Sequence, residues 1–91
     1  MSEETILAEI EANILLIQQA RKEIADLKEK KINKKSEAWA YAEGSAKEKE
    51  DYTKAYVSEF DREIAYKEAN IEYLYSKNAL LNDKLVYIED E

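Results

Sequence analysis

The one strongly basic stretch of the chain is Lys28-Glu29-Lys30-Lys31-Ile32-Asn33-Lys34-Lys35. On a helix Lys28, Lys31 and Lys35 share a face that continues to Trp39, while Lys30 and Lys34 lead toward Tyr41. Ammonium groups hold phosphates and aromatic rings stack on bases, so Lys28, Lys31, Lys34, Lys35 and Trp39 are candidate contacts for a nucleic acid. The plainer account is a solvated face whose lysine stems lie over a thin core, and it is preferred. The acidic residues Glu59, Asp61, Glu63, Glu68 and Glu72 suggest the opposite idea, a helix face that imitates nucleic acid. Lys54, Lys67 and Lys77 interrupt that face and weaken the idea.

Other chemistry is largely excluded by residue type. The 91 residues contain no His and no Cys, which removes the commonest general base, the commonest metal ligand and any thiolate nucleophile. A single Gly cannot build a phosphate-cradling loop. Carboxylates are plentiful but show no calcium-loop spacing, and the Glu-x-x-His pattern of di-iron bundles is impossible. No enzyme, metal or cofactor is therefore expected. The net charge of −7 disfavours general binding to nucleic acid or anionic membranes without forbidding a local basic patch. No apolar run approaches a membrane span, and the acidic start of the chain (Glu3, Glu4) is unlike a secretory signal, so a cytoplasmic protein is expected.

The elements that would carry these residues are helices. Pro is absent, and Ala, Glu, Lys, Leu and Ile dominate. Near the midpoint stands Glu43-Gly44-Ser45-Ala46-Lys47-Glu48. Gly44 just past a helix end can take a left-handed cap conformation, and Ser45 with Glu48 three residues on is a capping box. Ser2 with Glu3 and Glu4 is a plausible first cap. These signals predict helix one over about 3–43, a turn at Gly44 and Ser45, and helix two over about 46–88, within a single domain. A rival reading breaks helix one at Asn33–Ser36, where Ser36 could cap a new short helix.

Val57, Phe60, Ile64, Lys67, Ile71, Leu74, Asn78, Leu81, Leu85 and Ile88 follow alternating steps of three and four, the spacing of a coiled-coil seam. Leu7, Ile10, Ile14, Ile17, Arg21 and Ile24 give the matching seam of helix one. Folding at the turn places Leu7 by Leu81, Ile14 by Leu74, Ile17 by Ile71 and Ile24 by Ile64. Cap, period and register agree, and the fold class expected is all-α: a long antiparallel two-helix hairpin. The polar seam positions are Asn78, Lys67 and Arg21. Asn78 falls opposite Ile10, where an Asn can specify register. Lys67 falls near Arg21, unless helical drift puts Ala20 inside instead.

A hairpin with one narrow seam is marginal in isolation, and apolar residues are left over. Tyr52, Tyr66, Tyr73, Leu80 and Tyr87 are spaced by multiples of seven, and Tyr56 and Tyr75 are read as widening that stripe. Tyrosine joins a large apolar ring to a polar tip and suits a partly wet interface. A homo-oligomer, a dimer first of all, forming a helical bundle is the leading expectation. Docking of a different protein is the alternative.

The segment 35–49 resembles small helical-hairpin early proteins of tailed phages and prophages. In these a Lys/Ala-rich helix runs into Ala-x-Gly-Ser/Thr, with a basic residue four positions after the hydroxyl. The matching positions are Ala38, Ala42, Gly44, Ser45 and Lys49, the last standing where an arginine is expected. The resemblance implies a non-enzymatic helper that binds or inhibits a host or phage protein of DNA processing or defence. It carries over no catalytic or ligand residue. The alternatives are a nucleic-acid-binding accessory protein for replication or recombination, using the basic stretch, and a purely structural scaffold bundle.

Overall fold

A computed structural model describes residues 2–90 of the chain. They form three helices and no strand: α1 (Glu3–Tyr41), α2 (Ala46–Tyr56) and α3 (Ser58–Asp90). Helix α1 is one arm of a hairpin, and α2 followed by α3 is the other. The molecule measures 70 × 18 × 12 Å. The starts of α1 and α2 are explained by their caps. The Ser2 hydroxyl accepts the Thr5 N–H at 3.2 Å, and the Ser45 hydroxyl accepts the Glu48 N–H at 3.2 Å. Ser45 also donates its hydroxyl proton to the Glu48 carboxylate at 3.2 Å, so the expected Ser–Glu pair closes through side chains.

Helix α1 runs unbroken through Asn33–Ser36, which rules out the early break. It ends at Tyr41, two residues sooner than expected. Its cap is Ala42, extended at φ −69° and ψ 143°, with its N–H on the Ala38 carbonyl at 2.9 Å. Gly44 is therefore a residue of the connection rather than the cap itself. It does take the left-handed region, at φ +104°.

The second arm departs from a continuous helix at one residue. Val57 has φ −99° and ψ 6° and separates α2 from α3. The Phe60 and Asp61 N–H groups both donate to the Val57 carbonyl, at 3.1 and 3.3 Å, and the Ser58 hydroxyl donates to the Ala55 carbonyl at 2.8 Å. A Ser that bonds a backbone carbonyl competes with the regular ladder and bends the helix there. Val57 itself stays buried, so the break does not take it out of the seam.

The seam of the second arm is as the period predicts. Val57, Ile64, Leu74, Asn78 and Leu81 are buried, and Phe60, Lys67, Ile71, Leu85 and Ile88 are half-buried. The seam of α1 is rotated from expectation over its N-terminal half. The buried residues there are Ile6, Asn13, Ile17, Ala20 and Ile24, whereas Leu7 and Ile14 remain 48% and 44% exposed. Ile6, Ile10, Asn13, Ile17, Ala20, Ile24 and Leu27 make an unbroken series of steps of four and three. Leu7, Ile14 and Arg21 form the adjacent row, about 100° round the helix. The pairings of Leu7 with Leu81 and Ile14 with Leu74 are thus displaced by one residue, and Ala20 takes the inside place that Arg21 does not.

Candidate functional site

Three features stand out along the hairpin: a polar layer inside it, two broad apolar faces outside it, and a cleft near its turn. The polar layer follows from the rotated seam. Asn13 on α1 and Asn78 on α3 are both buried, and the Asn13 side-chain amide donates to the Asn78 carbonyl oxygen at 2.8 Å. Asn78 donates in turn to the Ile10 backbone carbonyl at 3.4 Å. Asn78 is therefore beside Ile10 as expected, but its side-chain partner is Asn13. The signal for Asn13 was its place three after Ile10 and four before Ile17. An apolar-only count passes over it in favour of Ile14.

Lys67 and Arg21 do not meet. The Lys67 ammonium pairs with Glu23 at 2.5 Å, and Gln19 holds the other Glu23 oxygen at 3.1 Å. The hydrogen bond from Lys67, helped by Gln19 and by the ammonium charge, lowers the Glu23 carboxyl below its ordinary value. The same hydrogen bond from the other side raises Lys67, against a smaller opposing effect of desolvation. Arg21 instead donates to the Tyr75 hydroxyl, with its guanidinium over the Tyr75 ring at 5.5 Å from the centroid. One cation thus finds a carboxylate and the other an aromatic ring.

These cross-links assign residues to the two broad faces. Glu9, Leu16 and Glu23 repeat every seven residues on α1. Glu9 reaches Lys77 at 3.3 Å and Glu23 reaches Lys67. Lys77 lies four residues after Tyr73 and three before Leu80, so Leu16 and the stripe Tyr66, Tyr73, Leu80, Tyr87 share one face. All five are exposed, Tyr66 and Tyr87 by 77% and 74%. Leu7, Ile14 and Arg21 look out from the opposite face together with Tyr75. Tyr75 is two positions, or about 200°, from Tyr73 and does not widen that stripe. Tyr52 and Tyr56 stack on each other on α2, with centroids 6.1 Å apart, and the break at Val57 separates them from the α3 residues.

The cleft lies between the C-terminal part of α1 and the α2–α3 junction, where the seam residues become small. Ala38, Ala42, Thr53 and Val57 are buried there, and the row that holds Ile24 and Leu27 further back in α1 passes to Lys31 and Lys35. The result is a partly open cavity of about 290 Å³. Lys31, Lys35, Trp39, Thr53 and Lys54 line it, together with the carboxylates of Glu50 and Asp61. Lys31 pairs with Asp61 across the two arms, and Lys34 pairs with Glu37 at 3.4 Å on its own helix. Among the described residues Lys28, Lys35 and Lys54 make no ion pair. The Trp39 ring is half-exposed, and the Lys49 ammonium sits 5.7 Å from its centroid. Of the predicted phosphate contacts, Lys31, Lys35 and Trp39 are brought together here, whereas Lys34 and Lys28 are not among the lining residues. Thr53, on the other arm, was not singled out in the sequence, and Lys54 was read only as an interruption of the acidic face. Thr53 continues the seam four residues back from Val57, and that period is the signal that could have found it.

No protein-family model, no curated protein and no solved structure matches this chain. No helix among the described residues is long and apolar enough to cross a membrane.

Proposed function

We propose that this protein is a non-enzymatic α-helical binding protein that first associates with a second copy of itself through its tyrosine face, forming a four-helix bundle. The observation that carries this reading is the amount of surface left uncovered. The accessible surface is 7035 Å², against about 5,500 Å² for a compact monomer of this mass. The radius of gyration is 20.3 Å, against about 12 Å for a compact domain of this length. The excess of roughly 1,500 Å² is larger than the ~800 Å² per partner of a standard interface. The residues on offer are of interface type: rings with polar tips, aligned every seven residues at Tyr66, Tyr73, Leu80 and Tyr87, with Leu16 alongside.

The assembled bundle would still expose the opposite face, with Leu7, Ile14 and Tyr75, as a place to engage a different protein. The resemblance around the turn suggests a phage-type target in DNA processing or defence. Light scattering behind size exclusion at low and high salt tests the core of the reading. A dimer at both salts that dissociates on Tyr73→Ala supports it, because apolar contacts are little affected by salt. A monomer at high micromolar concentration overturns self-association.

A further inference from the structure

We propose that the cleft beside the α2–α3 junction is a binding site for a nucleoside phosphate, with the base against Trp39 and the phosphate between Lys35 and Lys54. Four observations converge on it. The chain carries −7 overall, yet three ammonium groups and two carboxylates line this cleft. One ammonium, Lys31, is already matched by Asp61. Lys35 and Lys54 approach from different arms and, among the described residues, form no ion pair, which leaves two ammonium groups in the cleft against the single carboxylate of Glu50.

The second observation is Thr53. Its hydroxyl is the one buried side-chain polar atom that lacks a hydrogen-bond partner among the described residues, in a side chain only 1% exposed. A buried hydroxyl without a partner costs free energy, and native proteins rarely leave one so. A phosphate oxygen seated in the cleft, which Thr53 lines, supplies the missing partner after a rotation about the Thr53 Cα–Cβ bond.

The third is the ring. Trp39 borders both this cavity and an adjoining, more apolar and more open surface of α1 that it shares with Ile32, Lys35 and Ser36. A flat heterocycle on that surface would lie on the indole while its phosphate reaches the lysines of the cleft; base–aromatic stacking of this kind is sequence-tolerant. The fourth is how the space is made. The seam narrows to Ala38, Thr53 and Val57, and the helix is interrupted at Val57, so the gap is built into both arms.

The same chemistry is offered by a free mononucleotide and by the end of a single strand. The chain's one tryptophan makes the test direct. Trp39 fluorescence, excited at its red edge, is followed while the full-length protein is titrated with AMP or with a short oligo-dA strand at two salt concentrations. Inorganic phosphate is added as a competitor that cannot stack. The expected result is saturable quenching that phosphate reverses, and a loss of affinity of about tenfold in Lys35→Gln and in Lys54→Gln, each of which removes a charged hydrogen bond. Both lysines are exposed, so these variants should keep the fold, which circular dichroism verifies. Thr53→Val should weaken binding too, whereas Tyr73→Ala on the distant face should leave it unchanged. Saturation by AMP, with only the modest salt dependence of a phosphate held by two lysines, identifies the free nucleotide. Saturation by the strand alone, falling steeply with salt, identifies a strand end. Quenching that does not saturate with either ligand, or that is indifferent to both lysine variants, overturns the proposal.

Discussion

Replacing the buried asparagines by leucine, singly and together, tests the register of the hairpin. In Asn78→Leu the Asn13 amide is left buried without its partner, at a cost of about 1–3 kcal/mol. The new leucine buries apolar surface worth about 1.5–3 kcal/mol, so the two effects nearly cancel. Asn13→Leu should be milder, because Asn78 keeps its bond to the Ile10 carbonyl. In the double variant neither amide is stranded and both leucines are gained, so it should be more stable than wild type by about 2–5 kcal/mol. The signature is non-additivity: the double variant should exceed the sum of the singles by at least ~1 kcal/mol, well outside the 0.3–0.5 kcal/mol scatter of independent sites. Urea unfolding followed by circular dichroism measures all four states of the cycle. Additive single effects would mean that Asn13 and Asn78 do not share a hydrogen bond, and the rotated seam of α1 would fall with it. A further consequence concerns uniqueness. With only leucines at this layer the arms can slide, so the double variant should show broader amide resonances despite its higher stability.

Three other outcomes follow from particular contacts. Gly44→Ala should destabilise by about 1–2 kcal/mol, since an L residue is strained at φ +104° and its Cβ would also push the Glu48 carboxylate aside; a thermal midpoint unchanged within a degree would refute the connection's geometry. Thr53→Val removes the unpartnered hydroxyl while keeping the shape, and should raise the stability of the ligand-free protein by about 1 kcal/mol, read as a rise of roughly 4–8 °C in Tm; a fall in Tm would reveal a hydrogen bond to that hydroxyl. For the Glu23–Lys67 pair, the lowered Glu23 contributes stability that is fully present above the ordinary carboxyl value of 4.5 and is lost as pH falls through its folded value. The raised Lys67 contributes stability that is fully present below 10.5 and is lost as pH rises through its folded value. The stability difference between wild type and Glu23→Gln should therefore be greatest at intermediate pH, shrink at both extremes and fall with added salt; a difference that persists at acid pH would remove the pair from the account.

How far the chain's own pattern reaches is clearest where its two arms differ. In the second arm most seam residues are flanked by charged or small residues or by tyrosines, with Leu80 and Val86 the aliphatic exceptions, so one row dominates and its ten positions are the ones that turn inward. Ser2, Ser45 and Glu48 likewise carry local instructions, because a cap involves only neighbours in sequence. These features, with the lack of Pro and the one Gly, were enough to determine an all-α hairpin turning near residue 44. In α1 two adjacent rows compete: Ile6, Asn13 and Ala20 against Leu7, Ile14 and Arg21. They differ by about 100° of helix rotation, and the row with more apolar atoms is the one left outside. Only the other arm decides between them. Asn78 offers a carbonyl that Asn13 can satisfy and Ile14 cannot, and small Ala20 admits close approach while Arg21 finds Tyr75 at the edge. The break at Val57 and the cleft beside it are tertiary for the same reason. A Val-Ser step is tolerated inside many helices, and the cavity exists because two arms present small side chains to each other at one level, which neither arm specifies alone.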